Sequence, residues 1–285
     1  MKTSILIIDD DPAYCQTFKN MAAQYAFDLI FAHNLEEGIE LLQANRRLLA
    51  VVLDGHCFWG SGQSEPPKVN FVYHALHALD DLEREQQRLI PRCVNTEQPA
   101  EFREELQGLV KVLDKQGDAG VLFRWIRKVI SELPETRIRE EYDDIFEHAQ
   151  KIFNHLEEDE LIGLLLFGET PVEADISANI AVLRRLLEKL TDICAVQLLN
   201  EDPRDYASKM GVSVKPVFDA LYSRKIIPRQ IVKQVHHLYS YCSEFGTHIY
   251  RTQNPAYFPG VYAYRRSLNG FLEVFKYCTG LIKVK

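Results

Sequence analysis

Two short aliphatic runs near the start of the chain both end on aspartate. The run ILII at residues 5–8 is followed by Asp9, Asp10 and Asp11, and the run LLAVVL at residues 48–53 is followed by Asp54. Short apolar runs bounded by charge are typical of buried parallel strands, and such strands have their carboxyl ends at one edge of a sheet. The pattern therefore predicts a parallel α/β fold with several carboxylates at one edge.

The first part of the chain alternates between strand and helix signals. Strands are predicted over residues 4–8, 28–32, 48–53, 92–95 and 109–113. Helices are predicted over residues 12–25, 35–45, 71–89, 101–106 and 121–133. Asp11 and Pro12 are expected to start the first of these helices. Because crossover connections are short and right-handed, five βα units predict a parallel five-stranded sheet with helices on both faces.

The second part of the chain contains only helix signals. Helices are predicted over residues 138–155, 158–167, 177–199, 204–210, 214–224, 229–245 and 256–282. The leucines of ISANIAVLRRLLEKLTDIC form an apolar stripe at helical spacing, which predicts a buried helix face. At 285 residues the chain exceeds a typical single domain. We therefore predict an α/β domain over residues 1–133 and a helical-bundle domain over residues 134–285.

Composition restricts the compartment and the partners. The net charge is −8, which argues against bulk binding of nucleic acid but allows a local basic face. Six cysteines include no C-x-x-C pair, which favours a reduced, cytoplasmic protein. The chain turns acidic at Asp9, so no secretory signal is expected, and no apolar run approaches the length of a membrane span.

Three carboxylates at one edge of a sheet require a physical explanation. Unpaired, they would repel one another and raise each other's pKa values. A divalent cation removes that repulsion, and an oxygen-only site of few carboxylates suits Mg²⁺. The alternative is that the aspartates only cap helices or loops.

Four pieces of the first domain resemble the receiver domain of bacterial two-component response regulators. They are ILIIDDDP, VVLDGH, CVNTEQ and VLDK, in that order along the chain. The interval from Asp10 to Asp54 is 44 residues (54 − 10), which is usual for that family. The resemblance covers about residues 1–133 and implies a flavodoxin-like (βα)₅ fold.

The resemblance also implies roles for individual residues. Asp54 would be the phospho-acceptor, and a histidine kinase or phosphotransfer protein would be the donor. Mg²⁺ would be held by Asp9, Asp10, Asp54 and the backbone carbonyl of His56. An aspartate carboxylate can attack phosphorus to form an acyl phosphate, with magnesium and a lysine neutralising the phosphoryl oxygens.

Two further residues complete the family pattern. Thr96 would hydrogen-bond a phosphoryl oxygen, and Lys115 would pair with the phosphate. The chain departs from the family in having Val112 where an aromatic is usual and Gln116 where a proline is usual. The stretch at residues 55–70 is also longer than the usual turn, so whether it covers the site stays open.

One interpretation of the second domain is a DNA-binding helix–turn–helix at residues 203–225. Gly211 would lie in the turn, and SVKPVFDAL would be the recognition helix. Residues 203–233 contain seven basic and two acidic residues, a net +5 against −8 for the whole chain, which is compatible with phosphate contacts.

Another interpretation covers residues 176–282. The pieces LRRLLEKL, SRKIIP, HHLYSYCSEFGTH and YRRSLNGFLEVFKYC resemble the helical domains of the HEPN superfamily in bacterial abortive-infection proteins. Catalytic members use an arginine and a histidine to cut RNA, and Arg229 with His236 is the candidate pair. His248 has no arginine at the right distance before it.

The sequence thus predicts a response-regulator-like signalling protein with Mg²⁺ as cofactor. Its helical domain is expected to act through protein contacts or homodimerisation. DNA binding and a receiver-gated RNase remain alternatives, and nucleic acid is not the favoured partner. Enzymatic activity beyond self-phosphorylation stays open.

Overall fold

The computed structural model describes residues 3–60, 70–86, 88–117, 119–207, 214–247 and 259–282. The chain divides into two compact units, Met1–Thr136 and Arg137–Lys285. The first unit contains a sheet with helices, and the second consists of helices.

The first unit is built on a five-stranded parallel sheet. The strands are β1 Thr3–Ile8, β2 Phe27–Ala32, β3 Leu48–Leu53, β4 Arg92–Thr96 and β5 Lys111–Asp114. Their order across the sheet is β2-β1-β3-β4-β5, and every neighbouring pair is parallel. The order reverses between β1 and β3, so the sheet is doubly wound, and ligands bind at such a reversal in open α/β sheets.

Strand β5 begins two residues later than the predicted strand at 109–113. Residues 106–109 form a turn in which Leu109 N donates to Leu106 O, and Gly108 has a φ of 81°. A positive φ is incompatible with an extended strand and is readily adopted by glycine. Leu109 is consequently exposed rather than part of the core.

Five helices accompany the sheet. They are α1 Pro12–Ala22, α2 Leu35–Ala44, α3 Phe71–Gln86, α4 Pro99–Glu105 and α5 Ala119–Ser131. The predicted start of α1 is confirmed, because the Asp11 side chain accepts from Ala13 N and Tyr14 N with Pro12 at the first helical position. Asn34 caps α2 in the same way through Glu37 N.

The sheet separates two apolar cores, as alternation along a strand requires. Ile5 and Ile7 of β1 face a core shared with α1 and α5, whereas Leu6 and Ile8 face a core shared with α2, α3 and α4. All four are at most 1% exposed. Burying each such side chain stabilises the fold by about 1.5–3 kcal/mol.

The second unit comprises seven α-helices in the described residues. They are α6 Pro134–Glu141, α7 Asp143–Ile152, α8 His155–Glu169, α9 Ile176–Cys194, α10 Val214–Ser223, α11 Arg229–Thr247 and α12 Val261–Leu281. Helix α6 begins just before the boundary between the units. The apolar stripe predicted on α9 is confirmed, since Leu183, Leu186, Leu187, Leu190 and Cys194 are fully buried.

Three of the helices predicted in this unit are divided or shortened in the structure. The predicted helix at 138–155 is two helices, because the helical conformation is interrupted at Tyr142, between α6 and α7. The predicted helix at 177–199 ends as α9 at Cys194 and continues as a π-turn, Ala195–Leu199. At 204–210 only a 3₁₀ turn, Pro203–Tyr206, is formed before the described residues stop at 207.

All six cysteines are buried free thiols. Among the described residues, no helix combines the length and the apolar character needed to cross a membrane.

Candidate phospho-acceptor and metal site

The candidate site lies where the strands of the sheet end. Ile8 of β1 pairs with Leu53 of β3, so Asp9 and Asp54 leave neighbouring strands at the same edge. Backbone hydrogen bonds continue beyond the strands, from Asp9 N to Ala32 O at 3.0 Å and from Asp54 N to Ile8 O at 2.9 Å. The two acidic residues are therefore fixed by backbone pairing.

The three predicted carboxylates converge. Asp9, Asp10 and Asp54 each offer a carboxylate oxygen, and these oxygens lie within 4.8 Å of one another. Asp9 is fully buried, and Asp54 is nearly so. An oxygen-only set of this charge fits Mg²⁺, which binds to one or two carboxylates and keeps several waters.

Lys115 supplies the counter-charge of the site. It follows β5, and its N donates to Thr96 O at 3.0 Å, which continues the pairing of β4 with β5. Its Nζ lies 2.7 Å from Asp9 Oδ2 and 3.0 Å from Asp54 Oδ2, with 7% of the side chain exposed. The residue predicted to pair with phosphate thus contacts the predicted acceptor directly.

The pKa values follow from burial and from this charge imbalance. Burial raises the pKa of Asp54 to about 6. The charge of Lys115 opposes this shift, and the charge of Asp9 adds to it. Burial also raises the pKa of Asp10 above its ordinary value, and the neighbouring Asp9 contributes. Burial disfavours the charged form of Lys115, but Asp54 and Asp9 outweigh it, and the pKa of Lys115 is raised. The single positive charge of Lys115 therefore cannot balance the negative charges of Asp9, Asp10 and Asp54 together.

Thr96 lies at the end of β4, next to the loop that follows Asp54. It is 2% exposed, and its Oγ1 accepts from Gln98 N at 3.3 Å. A Cβ atom on Gly55 would lie 2.5 Å from Thr96 Oγ1 and 2.7 Å from Phe102. The absence of a side chain at Gly55 therefore allows the threonine hydroxyl to approach the residue after Asp54.

His56 is the remaining predicted ligand, through its backbone carbonyl, and that role stays a prediction. Its ring packs edge-on against Phe102 at 5.2 Å between centroids, and its Nε2 lies 3.9 Å from Glu101. Its side chain is thus engaged by α4.

The first residues of the long segment after β3 are anchored to α2. Leu35 N donates to Phe58 O and Glu36 N donates to Trp59 O at 3.0 and 2.9 Å. These bonds use two of the donors that a helix start leaves free. Residues 61–69, which complete the long stretch that the sequence analysis left open, lie outside the described part of the chain.

Two residues of the site were not anticipated from the sequence. The ring of Tyr14 lies 4.4 Å from Lys115 Nζ, and the amide Nδ2 of Asn95 donates to Tyr14 Oη at 2.6 Å. Asn95 could have been noticed, because it is a polar residue in a strand of the predicted sheet, but nothing in the sequence pairs it with Tyr14.

The predicted helix–turn–helix can be followed only in its second half, since Gly211 lies outside the described residues. In α10, Val217, Phe218 and Leu221 are fully buried and pack against α9 and α11. The outward face holds Pro216, Asp219, Tyr222 and Ser223. These exposed residues of α10 include one carboxylate and no cation, whereas a recognition helix presents basic residues to the phosphates.

Two basic residues of this segment contact local partners. Lys215 Nζ lies 3.0 Å from Ser240 Oγ, and Arg224 pairs with Glu201. The candidate RNase residues lie on one helix: Arg229 is exposed at the start of α11, and His236 lies two turns further on with its Nε2 3.2 Å from Asp219. His248 falls outside the described residues.

Comparisons with known proteins do not assign a family. No family model matches the chain, and no curated protein matches it. One similar solved structure is a fusion that contains the yeast Spc42 trimeric coiled coil, amino acids 181–211. It is 17% identical over 49% of this chain and 81% of its own, with a TM-score of 0.35.

Proposed function

We propose that the first unit is a flavodoxin-like receiver domain that accepts a phosphoryl group on Asp54. The donor would be a histidine kinase or a phosphotransfer protein. The second unit would carry the output through protein contacts or homodimerisation, which makes the chain a response-regulator-like signalling protein.

The observation that carries the proposal is the grouping of three carboxylates with one buried lysine. Asp9, Asp10 and Asp54 lie within 4.8 Å, and Lys115 Nζ lies 3.0 Å from Asp54. Burying more negative than positive charge is unfavourable, so a group that persists at this cost is a candidate functional site.

Each residue has a distinct task in this proposal. The ionised Asp54 carboxylate attacks phosphorus and forms an acyl phosphate, while the bond from phosphorus to the donor breaks. Lys115 donates to a phosphoryl oxygen and offsets its charge. Thr96 hydrogen-bonds another phosphoryl oxygen after transfer, close to Gly55.

Asp9 and Asp10 would hold Mg²⁺ together with Asp54 and the carbonyl of His56. When bound, the ion neutralises the phosphoryl oxygens, while the protein mainly positions the reactants. The raised pKa values of Asp54 and Asp10 are consistent with this assignment, because a cation would restore both carboxylates to the ionised form.

Incubation with a small acyl phosphate and Mg²⁺, followed by intact mass, tests the proposal. Wild type is expected to gain one phosphoryl group, and Asp54→Asn none. Asp11→Asn is the matched control, because it removes a neighbouring charge but keeps a residue that caps α1 well. Labelling that survives Asp54→Asn at the wild-type level would overturn the assignment.

The exposed residues of α10 favour a protein partner over DNA as the target of the second unit. Its outward face presents Asp219 and Tyr222, while Lys215 and Arg224 are engaged by Ser240 and Glu201. Light scattering with and without the phosphodonor is expected to show a change in oligomeric state. Sequence-independent binding of duplex DNA at physiological salt would contradict this part of the proposal.

A further inference from the structure

Tyr14 and Asn95 lie beside Lys115, and the proposed chemistry uses neither. The Tyr14 ring centroid is 4.4 Å from Lys115 Nζ, and Asn95 donates to Tyr14 Oη at 2.6 Å. We propose that Tyr14, held by Asn95, is a positioning residue that keeps the Lys115 ammonium beside Asp54. This inference rests on the proposed function, because Lys115 acts there on the transferred phosphoryl group.

The ammonium requires positioning because its stem is long and its two anionic partners compete. A lysine side chain has several rotatable bonds, and Asp9 Oδ2 is closer to Nζ than Asp54 Oδ2, at 2.7 against 3.0 Å. An aromatic face attracts a cation and restricts it further, most strongly where water is excluded. The Tyr14 ring thus adds a third contact that keeps Nζ between the two carboxylates.

The ring in turn requires Asn95 because packing encloses it incompletely. Tyr14 stacks on Phe18 at 5.4 Å between centroids. It also borders a cavity of about 260 Å³ that is lined by Lys115, Asn95 and Arg103 among others. A ring beside a cavity has room to turn, and the hydrogen bond from Asn95 opposes that movement.

Asn95 is suited to this task by its own burial. It is 4% exposed on β4, whose backbone is fixed between β3 and β5. A buried amide left without a partner is costly, so the Asn95–Tyr14 bond is retained in the folded state. Asn95, fixed in the sheet, therefore holds the Tyr14 ring in place, and the ring in turn limits the movement of the Lys115 ammonium.

The two contacts can be separated by substitution at Tyr14. Tyr14→Leu removes the ring, and we expect phosphoryl transfer from the small phosphodonor to slow by about three- to tenfold, as loss of a desolvated cation–π contact implies. Tyr14→Phe keeps the ring but loses the Asn95 bond, and we expect a slowing of about twofold. Asn95→Ala should resemble Tyr14→Phe.

A double-mutant cycle distinguishes positioning from a general structural effect. If Tyr14 acts through Lys115, Tyr14→Leu should have no further effect in a Lys115→Met background. Phe27→Leu is the control: Phe27 belongs to the same apolar core and stacks on Phe123, and it lies on β2, at the opposite edge of the sheet from β5, which Lys115 follows. Any effect of that control should be equal in both backgrounds.

A second measurement does not depend on phosphorylation. The Tyr14 ring current is expected to shift the NMR signals of the Lys115 side-chain methylenes, and Tyr14→Leu and Asn95→Ala should both reduce that shift. Equal slowing by Tyr14→Leu in both backgrounds, or unchanged Lys115 signals in Tyr14→Leu, would overturn the positioning role. Wild type that accepts no phosphate would overturn the proposed function instead, and the NMR signals would then decide the positioning claim alone.

Discussion

Charged residues are arranged differently at the edge of the sheet and on the helical unit. At the edge, Asp9, Asp54 and Lys115 are far apart in sequence, buried, and in direct contact. On the helical unit, most charges pair near the surface, as Arg185 does with Glu160 and Lys276 with Asp144, and the buried Glu158 contacts Arg139. Exposed pairs contribute little to stability, whereas a buried group with unbalanced charge indicates function.

The largest expected difference concerns two lysines. Lys115→Met is expected to slow phosphoryl transfer by about 10²–10³-fold, as removal of a preorganised electrostatic contact typically does. Lys215→Met removes an equally long cation from the helical unit, where Lys215 contacts Ser240, and should leave the rate unchanged. Single-turnover labelling followed by intact mass measures both, and equal rates for the two variants would remove the distinction between the regions.

The ionisation of Asp54 should make the Mg²⁺-free first unit less stable as the pH rises. The pKa of Asp54 is raised from 3.8 to about 6, so the folded protein binds this proton more tightly than the unfolded chain does. Without Mg²⁺, the contribution of Asp54 to stability is therefore most favourable below pH 3.8 and is lost as the pH rises through about 6.

Asp54→Asn should accordingly stabilise the Mg²⁺-free first unit at pH 7, by about 1–3 kcal/mol. Asp219→Asn in the helical unit, where the carboxylate is exposed beside His236, should change stability by less than about 0.5 kcal/mol. Urea unfolding at several pH values provides both numbers. A less stable Asp54→Asn protein at pH 7 would contradict the pKa assignment.

Gly55 and Gly163 differ in the room that each leaves for a Cβ atom. Gly55→Ala would place its Cβ 2.5 Å from Thr96 Oγ1 and should destabilise the first unit by about 1–3 kcal/mol. Gly163 in α8 has open space around the same atom, so Gly163→Ala should stabilise the second unit by up to about 1 kcal/mol. Thermal unfolding of both variants checks the opposite signs.

The smallest effect is expected at the surface pair of Lys276 and Asp144. Lys276→Gln should change the free energy of unfolding by less than about 1 kcal/mol, since both side chains are more than half exposed. Urea unfolding measures the change. A larger loss would mean that this pair resembles the buried group at the sheet edge.

The convergence of the carboxylates could be predicted from the sequence because it follows from topology. Asp9 and Asp54 directly follow apolar strand runs, and parallel strands place such residues at one edge. For Lys115 the sequence could predict only its position after β5. Its contacts with Asp9 and Asp54 depend on three-dimensional packing.

Other features lack any local signal. Tyr14 and Asn95 are 81 residues apart (95 − 14), and neither belongs to a spacing pattern that would pair them. The break at Tyr142 between α6 and α7 is also invisible to helical periodicity, because the apolar positions continue across it. Where tertiary contacts decide the outcome, sequence patterns provide only the candidates.

The central claim is that Asp54 is a phospho-acceptor. The most direct measurement is to label wild type with a small acyl phosphate and Mg²⁺, reduce the acyl phosphate with borohydride, and locate the modified residue by peptide mass. The account predicts one modified site, at Asp54, and none when Mg²⁺ is removed by a chelator. Modification at another residue, or no modification of wild type at all, would contradict it.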